Sequence, residues 1–492
     1  MVPETVSHFI GGRHVRSTLR KAYGVTDPAT GKEYTQVEVG QAADANQAVL
    51  AARTALEAGP WPGMAAPDRA RVLYGIADAI DARADDIAAA ETLCTGLPVS
   101  QAREQAARAG DLFRLAADLI TERAADGPSA ESGQSSYVVT RPAGVAGLIT
   151  SWRTPFLSQA RAVAPALAAG CTIVLKPDEW APLPAELLAE ICTAAGLPDG
   201  VLNIVHGSLH RKAPGAQARD ALIAHPGVAR LAFAGDAVTG RQVMAEAATH
   251  RKSLSADFAG GSPCLIFADA DLDRATESAL FGAFALNGQR RTAISTIGVQ
   301  RPVYETLVSR LAQRADRIRV GDPGDPATEI GPVPQPEHYD RLTSCVRLGI
   351  REGARLAAGG RRPAGLPEGN YLAATVLADV TPSMQVFTEQ VGGAVLRVTP
   401  FDSDEEAVAL ANAVAGPAAA YVWTADRQRA HRLAPAIGSA STWVNSHNPL
   451  DLRTPGAGHS GAAAGDLNID FYTQSRTVLI PADDTPVPRF GA

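Results

Sequence analysis

Arg141-Pro142-Ala143-Gly144-Val145-Ala146-Gly147-Leu148-Ile149-Thr150-Ser151-Trp152 is the stretch on which the fold turns. An apolar run from Val145 to Ile149 follows Pro and Gly and ends in polar residues, the signature of a short buried strand. Similar runs recur at Thr172 to Leu175, Leu202 to Val205 and Leu231 to Phe233, with helical stretches between them. This alternation predicts a parallel sheet with crossover helices, an α/β architecture whose ligands lie at the carboxyl ends of the strands. No GxGxxG fingerprint follows any of these runs. Upstream, Val72, Leu73, Ile76, Ala79 and Ile80 fall at helical spacing, so Pro67 to Glu91 reads as one or two long amphipathic helices, with helix continuing to about Ala117. Ser135 to Thr140 and Asp470 to Ile480 read as strands far apart in sequence that pair in an arm, and Pro481 to Ala492 reads as a loose tail.

The chain has 492 residues, 46% hydrophobic and 20% charged, which suits an ordinary globular protein with large cores. A net charge of -7 provides no basic stripe, so nucleic acid is not an expected partner. No basic leader with an apolar core is seen, nor any apolar run long enough to span a bilayer, and the expected location is cytoplasmic. Cys94, Cys171, Cys192, Cys264 and Cys345 are scattered and never form CxxC, which favours reduced thiols over disulfides or a zinc site.

The opening stretch resembles the aldehyde dehydrogenase superfamily, in which such a strand leads into a Pro-Trp-Asn turn. It is followed in family order by Pro165 to Gly170, Leu175-Lys176-Pro177, Ala195 to Asn203, His225 to Val228, Phe233-Ala234-Gly235, Gly260-Gly261-Ser262-Pro263 and Gly288-Gln289. The likeness extends from Phe9 to Thr473. It implies a Rossmann-like cofactor domain over 1–126 and 144–254, a catalytic-type α/β domain over 255–465, and a β-strand oligomerisation arm with tail over 127–143 and 466–492. It also implies assembly as a dimer or tetramer.

Family members attack the aldehyde with a thiolate on a Gly-Gln-x-Cys turn. Here the turn reads Gly288-Gln289-Arg290-Arg291, and a guanidinium at 291 is no nucleophile. Arg153 stands where the family places its oxyanion-binding asparagine, and Asp257 where it places the general-base glutamate. Asp257 is equally readable as the ion-pair partner of an arginine. The lysine after the family's glycines becomes Gly261. On the cofactor side, Lys176, Glu179 and Trp152 are retained. Asp236 stands where the helix that receives the pyrophosphate begins, a plain N-cap that would also repel phosphate. The nicotinamide-ribose glutamate becomes Gln390, the next Phe-Gly-Pro becomes Gly392-Gly393-Ala394, and the tunnel stretch becomes Pro455 to Gly461. His447 and His459 read as bystanders.

These changes lead to the expectation that the chain is not a working aldehyde dehydrogenase and binds no cofactor, or NAD or NADP if the cleft survives. One form of that expectation is a non-catalytic binding or scaffolding subunit. The other is a repurposed enzyme in which Arg153, Arg290 and Arg291 gather an anionic small molecule and Asp257 moves a proton. The alternative is residual NAD(P)-dependent oxidation of an aldehyde by direct hydride transfer from its hydrate.

Overall fold

The computed structural model describes residues 2–122, 129–131, 134–208, 216–258, 260–389, 392–414, 416, 418–447, 467–481 and 490. Gln390, Pro455 to Gly461, His459 and nearly all of the tail after Pro481 lie outside them.

Two sheets of seven strands carry the fold. In the first, spatial order runs Ser253–Phe258, Val228–Gly235, Val145–Ile149, Thr172–Lys176 and Leu202–Ile204, all parallel, then His8–Ile10 and Arg13–Val15 antiparallel. The Val145–Ile149 and Thr172–Lys176 strands are buried at every residue. Their continuous apolar sequence, in place of alternation, follows from helices covering both faces. In the second sheet the order is Arg355–Ala358, Thr375–Ala378, Val395–Phe401, Ile294–Gln300, Ser262–Ile266, Ala420–Trp423 and Thr442–Val444. Only its first pair is antiparallel.

The one or two long helices expected over Pro67 to Glu91, with helix continuing to about Ala117, are three: Ala66–Ala82, Ala84–Thr95 and Val99–Glu122. The second ends at Gly96 in the left-handed conformation (φ 74°), where a Cβ would meet the Pro332 carbonyl oxygen at 2.5 Å. That close approach requires glycine. The strands Gln134–Pro142 and Thr473–Pro481 pair antiparallel with Ser475 opposite Thr140, while Asp470–Tyr472, expected as strand, forms a 3-10 turn. The first residues also form strands, and Ala42–Ala58 is a helix; the sequence pattern assigns neither.

Register places the site. Lys176 is paired with Ile149, Ile149 with Phe233, and Ala234 with Asp257. The carboxyl ends of four parallel strands therefore finish together and deliver Trp152-Arg153, Lys176, Asp236 and Asp257 to one edge of the first sheet. The second sheet supplies the facing wall, because the turn Ala285–Gly288 leads into its strand Ile294–Gln300.

Candidate active site

The turn before Arg290 is held by backbone that few side chains tolerate. Leu286, Asn287 and Gly288 all have positive φ (55°, 57° and 68°). A Cβ on Gly288 would lie 2.5 Å from the Gly393 carbonyl oxygen, so the turn packs directly on the 392–393 loop. Asn287 stabilises this conformation. Its amide donates to the carbonyls of Gly96 (3.0 Å) and Pro332 (3.2 Å), and its oxygen accepts the Gly331 N–H at 2.8 Å. The Leu286 N–H donates to the Gln101 side chain at 2.5 Å.

Arg290 and Arg291 leave this turn in different company. The Arg290 guanidinium donates to His447 Nε2 at 3.2 Å and lies 5.3 Å from the Phe281 ring centre. His447 therefore carries its proton on Nδ1, which faces Ser278 Oγ at 3.1 Å, and its ring stacks on Tyr421. Burial first, then the Arg290 charge, lowers the His447 pKa to about 4, so the ring is neutral at pH 7. His447, read from sequence as a solvated or hydrogen-bonded bystander, is hydrogen-bonded on both ring nitrogens and steadies Arg290.

Asp257 closes the first-sheet side. One of its oxygens lies 3.7 Å from Arg291 Nε and 3.7 Å from Arg161 Nη1, with all three side chains about a quarter exposed. Arg161 comes from the helix Pro155–Ala168, and sequence reasoning did not single it out. The N-terminus of that helix has an unusual cap. Thr154 at the N-cap has φ 41° and makes no side-chain cap, and buried Glu91 from another helix accepts the Phe156 N–H at 2.8 Å instead. The other Glu91 oxygen has no partner among the described residues, and burial raises the Glu91 pKa to about 8.

Arg153 precedes this cap. Its guanidinium lies 5.3 Å from the Trp152 ring centre, and Trp152 in turn packs on Trp180 and His338. Burial, opposed by the charge of Asp236, lowers its pKa to about 10, which leaves it protonated at neutral pH. Arg153, Arg290 and Arg397 share the lining of a cavity of about 40 Å³ with Gly261, Ser295 and Gly392. Arg397, also missed from sequence, donates through Nε to Ser295 O and through Nη1 to the carbonyls of Val386, Phe387 and Glu389. It fastens the loop before Gln390 to the second sheet. The structure thus brings Arg153 and Arg290 to one pocket and Arg291 to Asp257.

The cofactor-side residues form a second cluster. Lys176 is buried, donating to the carbonyls of Pro177 (2.8 Å) and Gly207. Burial lowers its pKa to about 8, and the neighbouring Glu179 and Asp178 oppose that fall. Glu179 is also buried and near Lys176, so a cation and a carboxylate stand together where ribose hydroxyls could be held. At the other end, Asp236 caps the helix Ala237–Thr249, accepting the N–H groups of Val238 (2.8 Å) and Thr239 (2.9 Å). These residues fit a dinucleotide at the adenosine end, while the carboxylate takes two amides that would otherwise face phosphate.

No cysteine is among the residues that line the Arg153 pocket. All five are buried, and burial raises each thiol, Cys171 to about 11 and Cys94 and Cys192 to about 12. Among the described residues no group of His, Cys, Asp and Glu could hold a metal, and no helix is long and apolar enough to cross a membrane.

With the cleft, the arm and the turn in place, the match to a known family can be stated. Residues 14–478 match the aldehyde dehydrogenase family, and the chain belongs to it. It is 40% identical to the 5-carboxymethyl-2-hydroxymuconate semialdehyde dehydrogenase of Escherichia coli, over 91% of this chain and 94% of that protein. It superposes on HpcC of Thermus thermophilus with a TM-score of 0.92 and 39% identity, covering 99% of this chain and 95% of that one. A betaine aldehyde dehydrogenase of Staphylococcus aureus, solved in complex with NAD+, gives a TM-score of 0.93 at 30% identity, covering 99% and 96%. Two expectations from sequence are overturned here. Full-length likeness to named dehydrogenases contradicts the reading of the chain as a scaffold, pseudoenzyme or repurposed cofactor-independent enzyme. Likeness to a protein solved with NAD+ contradicts the expectation of no cofactor. The first error came from treating arginines at the reacting positions as loss of the reaction itself, the second from reading Asp236, Gln390 and Gly392-Gly393-Ala394 as loss of the cofactor.

Proposed function

We propose that this protein is an NAD-dependent oxidoreductase that converts an aldehyde to its carboxylic acid, and that it works on the aldehyde hydrate without a cysteine nucleophile. The observation that carries the reading is Asp257, held between Arg161 and Arg291 at the end of the edge strand of a parallel sheet whose third and fourth strands lead to Trp152-Arg153 and Lys176. Bound NAD would supply the hydride acceptor, with Lys176, Glu179 and Trp152 holding its adenosine half. The chain's own residues do the remaining work. Asp257 takes the proton from one hydroxyl of the hydrate as the carbon gives up its hydride, and the second hydroxyl becomes part of the acid. Arg153 and Arg291 face the oxygens on which negative charge collects, replacing an amide and a backbone N–H with full cations. No acyl-enzyme forms, so no thioester needs hydrolysis. Arginine-rich walls favour aldehydes that bear an anionic group. The domain division at 254/255, and pairing of two or four copies through the arm, belong to the same reading.

The test is a calorimetric titration with NAD and NADP, together with an absorbance assay of NADH formation from a panel of aldehydes. Micromolar NAD binding and turnover that disappears in Asp257→Ala are expected. Absence of NAD binding would sink the proposal.

A further inference from the structure

The turn that receives the Lys176 ammonium is built more firmly than a link between strand and loop requires. The ladder of the strand Leu202–Ile204 runs out at the Val205 N–H, which donates to the Leu175 carbonyl at 3.0 Å. Beyond it Gly207 has φ 149°, a conformation that side chains rarely adopt, and its carbonyl accepts from Lys176 Nζ. The residue between them, His206, is buried and pinned at three points. Its N–H donates to His8 Nδ1 at 3.2 Å, its carbonyl accepts the Gly40 N–H at 3.0 Å, and its Nε2 lies 2.9 Å from Glu186 Oε1. Gly40 comes this close because it lacks a side chain; a Cβ there would lie 2.2 Å from the His206 carbonyl oxygen.

Each anchor is held in turn. His8 accepts on Nδ1, so its proton is on Nε2, 3.6 Å from Asp44 Oδ2. The second oxygen of Glu186, on the helix Pro182–Ala194, lies 3.4 Å from Nδ1 of the exposed His14. Burial lowers the His206 pKa and its bond to Glu186 opposes that fall, so the ring is neutral at pH 7 and gives its Nε2 proton to the carboxylate. The Lys176 ammonium has three donors. The carbonyls of Pro177 and Gly207 take two, and the third has no partner among the described residues. Two fixed acceptors decide where that third N–H points.

We propose that His206, held by Glu186, is a positioning residue for the adenosine end of the cofactor: it fixes the Gly207 carbonyl, which orients the Lys176 ammonium so that its third N–H meets a ribose hydroxyl. The assignment rests on the NAD-dependent reading above and adds to it two side chains that act only through Lys176. Without the histidine the Gly207 carbonyl loses its fixed direction, and the ammonium is free to turn toward the neighbouring carboxylates of Asp178 and Glu179.

NAD and AMP, which carries the adenosine half alone, are titrated by calorimetry into the full-length protein and its variants. His206→Ala should weaken both roughly fivefold, the worth of about one hydrogen bond. His206→Gln, whose amide can donate to the same carboxylate, should restore native binding to within about twofold. In a Lys176→Met background, His206→Ala should cost nothing further, because the histidine acts through the lysine. Thermal midpoints check each fold, and if His206→Ala does not fold, Glu186→Ala takes its place with the same expected loss. Undiminished NAD binding by His206→Ala, or an equal loss with and without Lys176, overturns the assignment. No NAD binding by the native protein would remove the proposed function together with it, whereas the expected pattern of binding without aldehyde oxidation would remove the reaction and leave His206 in its role.

Discussion

Replacing Glu91 with glutamine should change how stability depends on pH more than it changes stability at any one pH. The carboxyl is fully buried, accepts one backbone N–H from Phe156, and has a second oxygen without a partner among the described residues. Burial raises its pKa from 4.5 to about 8. The folded state therefore holds a proton that the unfolded chain releases above pH 4.5. This acid favours folding most at low pH, and the contribution is lost as pH rises through about 8. The slope is roughly 1.4 kcal/mol per pH unit, and across the interval the total is on the order of 4 to 5 kcal/mol, an upper figure because partial hydration of the site would reduce it. Glu91→Gln keeps an acceptor for Phe156 but cannot ionise. Urea unfolding at pH 5.5, 6.5 and 7.5 should show the native protein losing stability relative to Glu91→Gln as pH rises. A difference between the two that stays constant over that range would refute the assignment. The same helix start follows Arg153 and carries Arg161, so kcat of the native protein should fall as pH rises through about 8, where the cap ionises in the folded state.

Two further predictions concern the turn and its wall. The native protein should resist iodoacetamide, because its five thiols are buried with raised pKa values, whereas Arg291→Cys should take up a single label detectable by mass spectrometry; labelling of the folded native protein would contradict the burial. Arg397→Met should destabilise the protein by roughly 3 kcal/mol, since it leaves four carbonyls without their charged donor, and a loss under 1 kcal/mol in urea unfolding would show that the loop is held by something else.

The parallel sheet could be read from sequence because strands buried on both faces are written as unbroken apolar runs, and Val145–Ile149 and Thr172–Lys176 are of that kind. Amino-terminal strands such as His8–Ile10 and Arg13–Val15 were missed because three-residue elements carry no periodicity. Motif order located Arg153, Lys176, Asp236, Asp257 and Arg291: the first four lie at or just past strand ends, and Arg291 follows the Ala285–Gly288 turn. Arg161, Arg397, Glu91 and His447 act through partners 8 to 157 residues away, or across an ion pair between helix and strand, and spacing along the chain does not encode such contacts. Function was misjudged for a related reason. Residue identity at 291 shows which chemistry is impossible there, but the chemistry still available depends on what surrounds it.

Asn287 joins three stretches of backbone: its own, Gly96 at the end of a helix, and Gly331–Pro332. It acts as a keystone, so the position of the two arginines is set by main chain on either side of the cleft and is insensitive to which side chains they are. Such a socket allows the residue at 291 to be exchanged during evolution without rebuilding the wall that carries it. It also means that damage at Gly96, far from any reacting atom, should reach the site as a displaced turn.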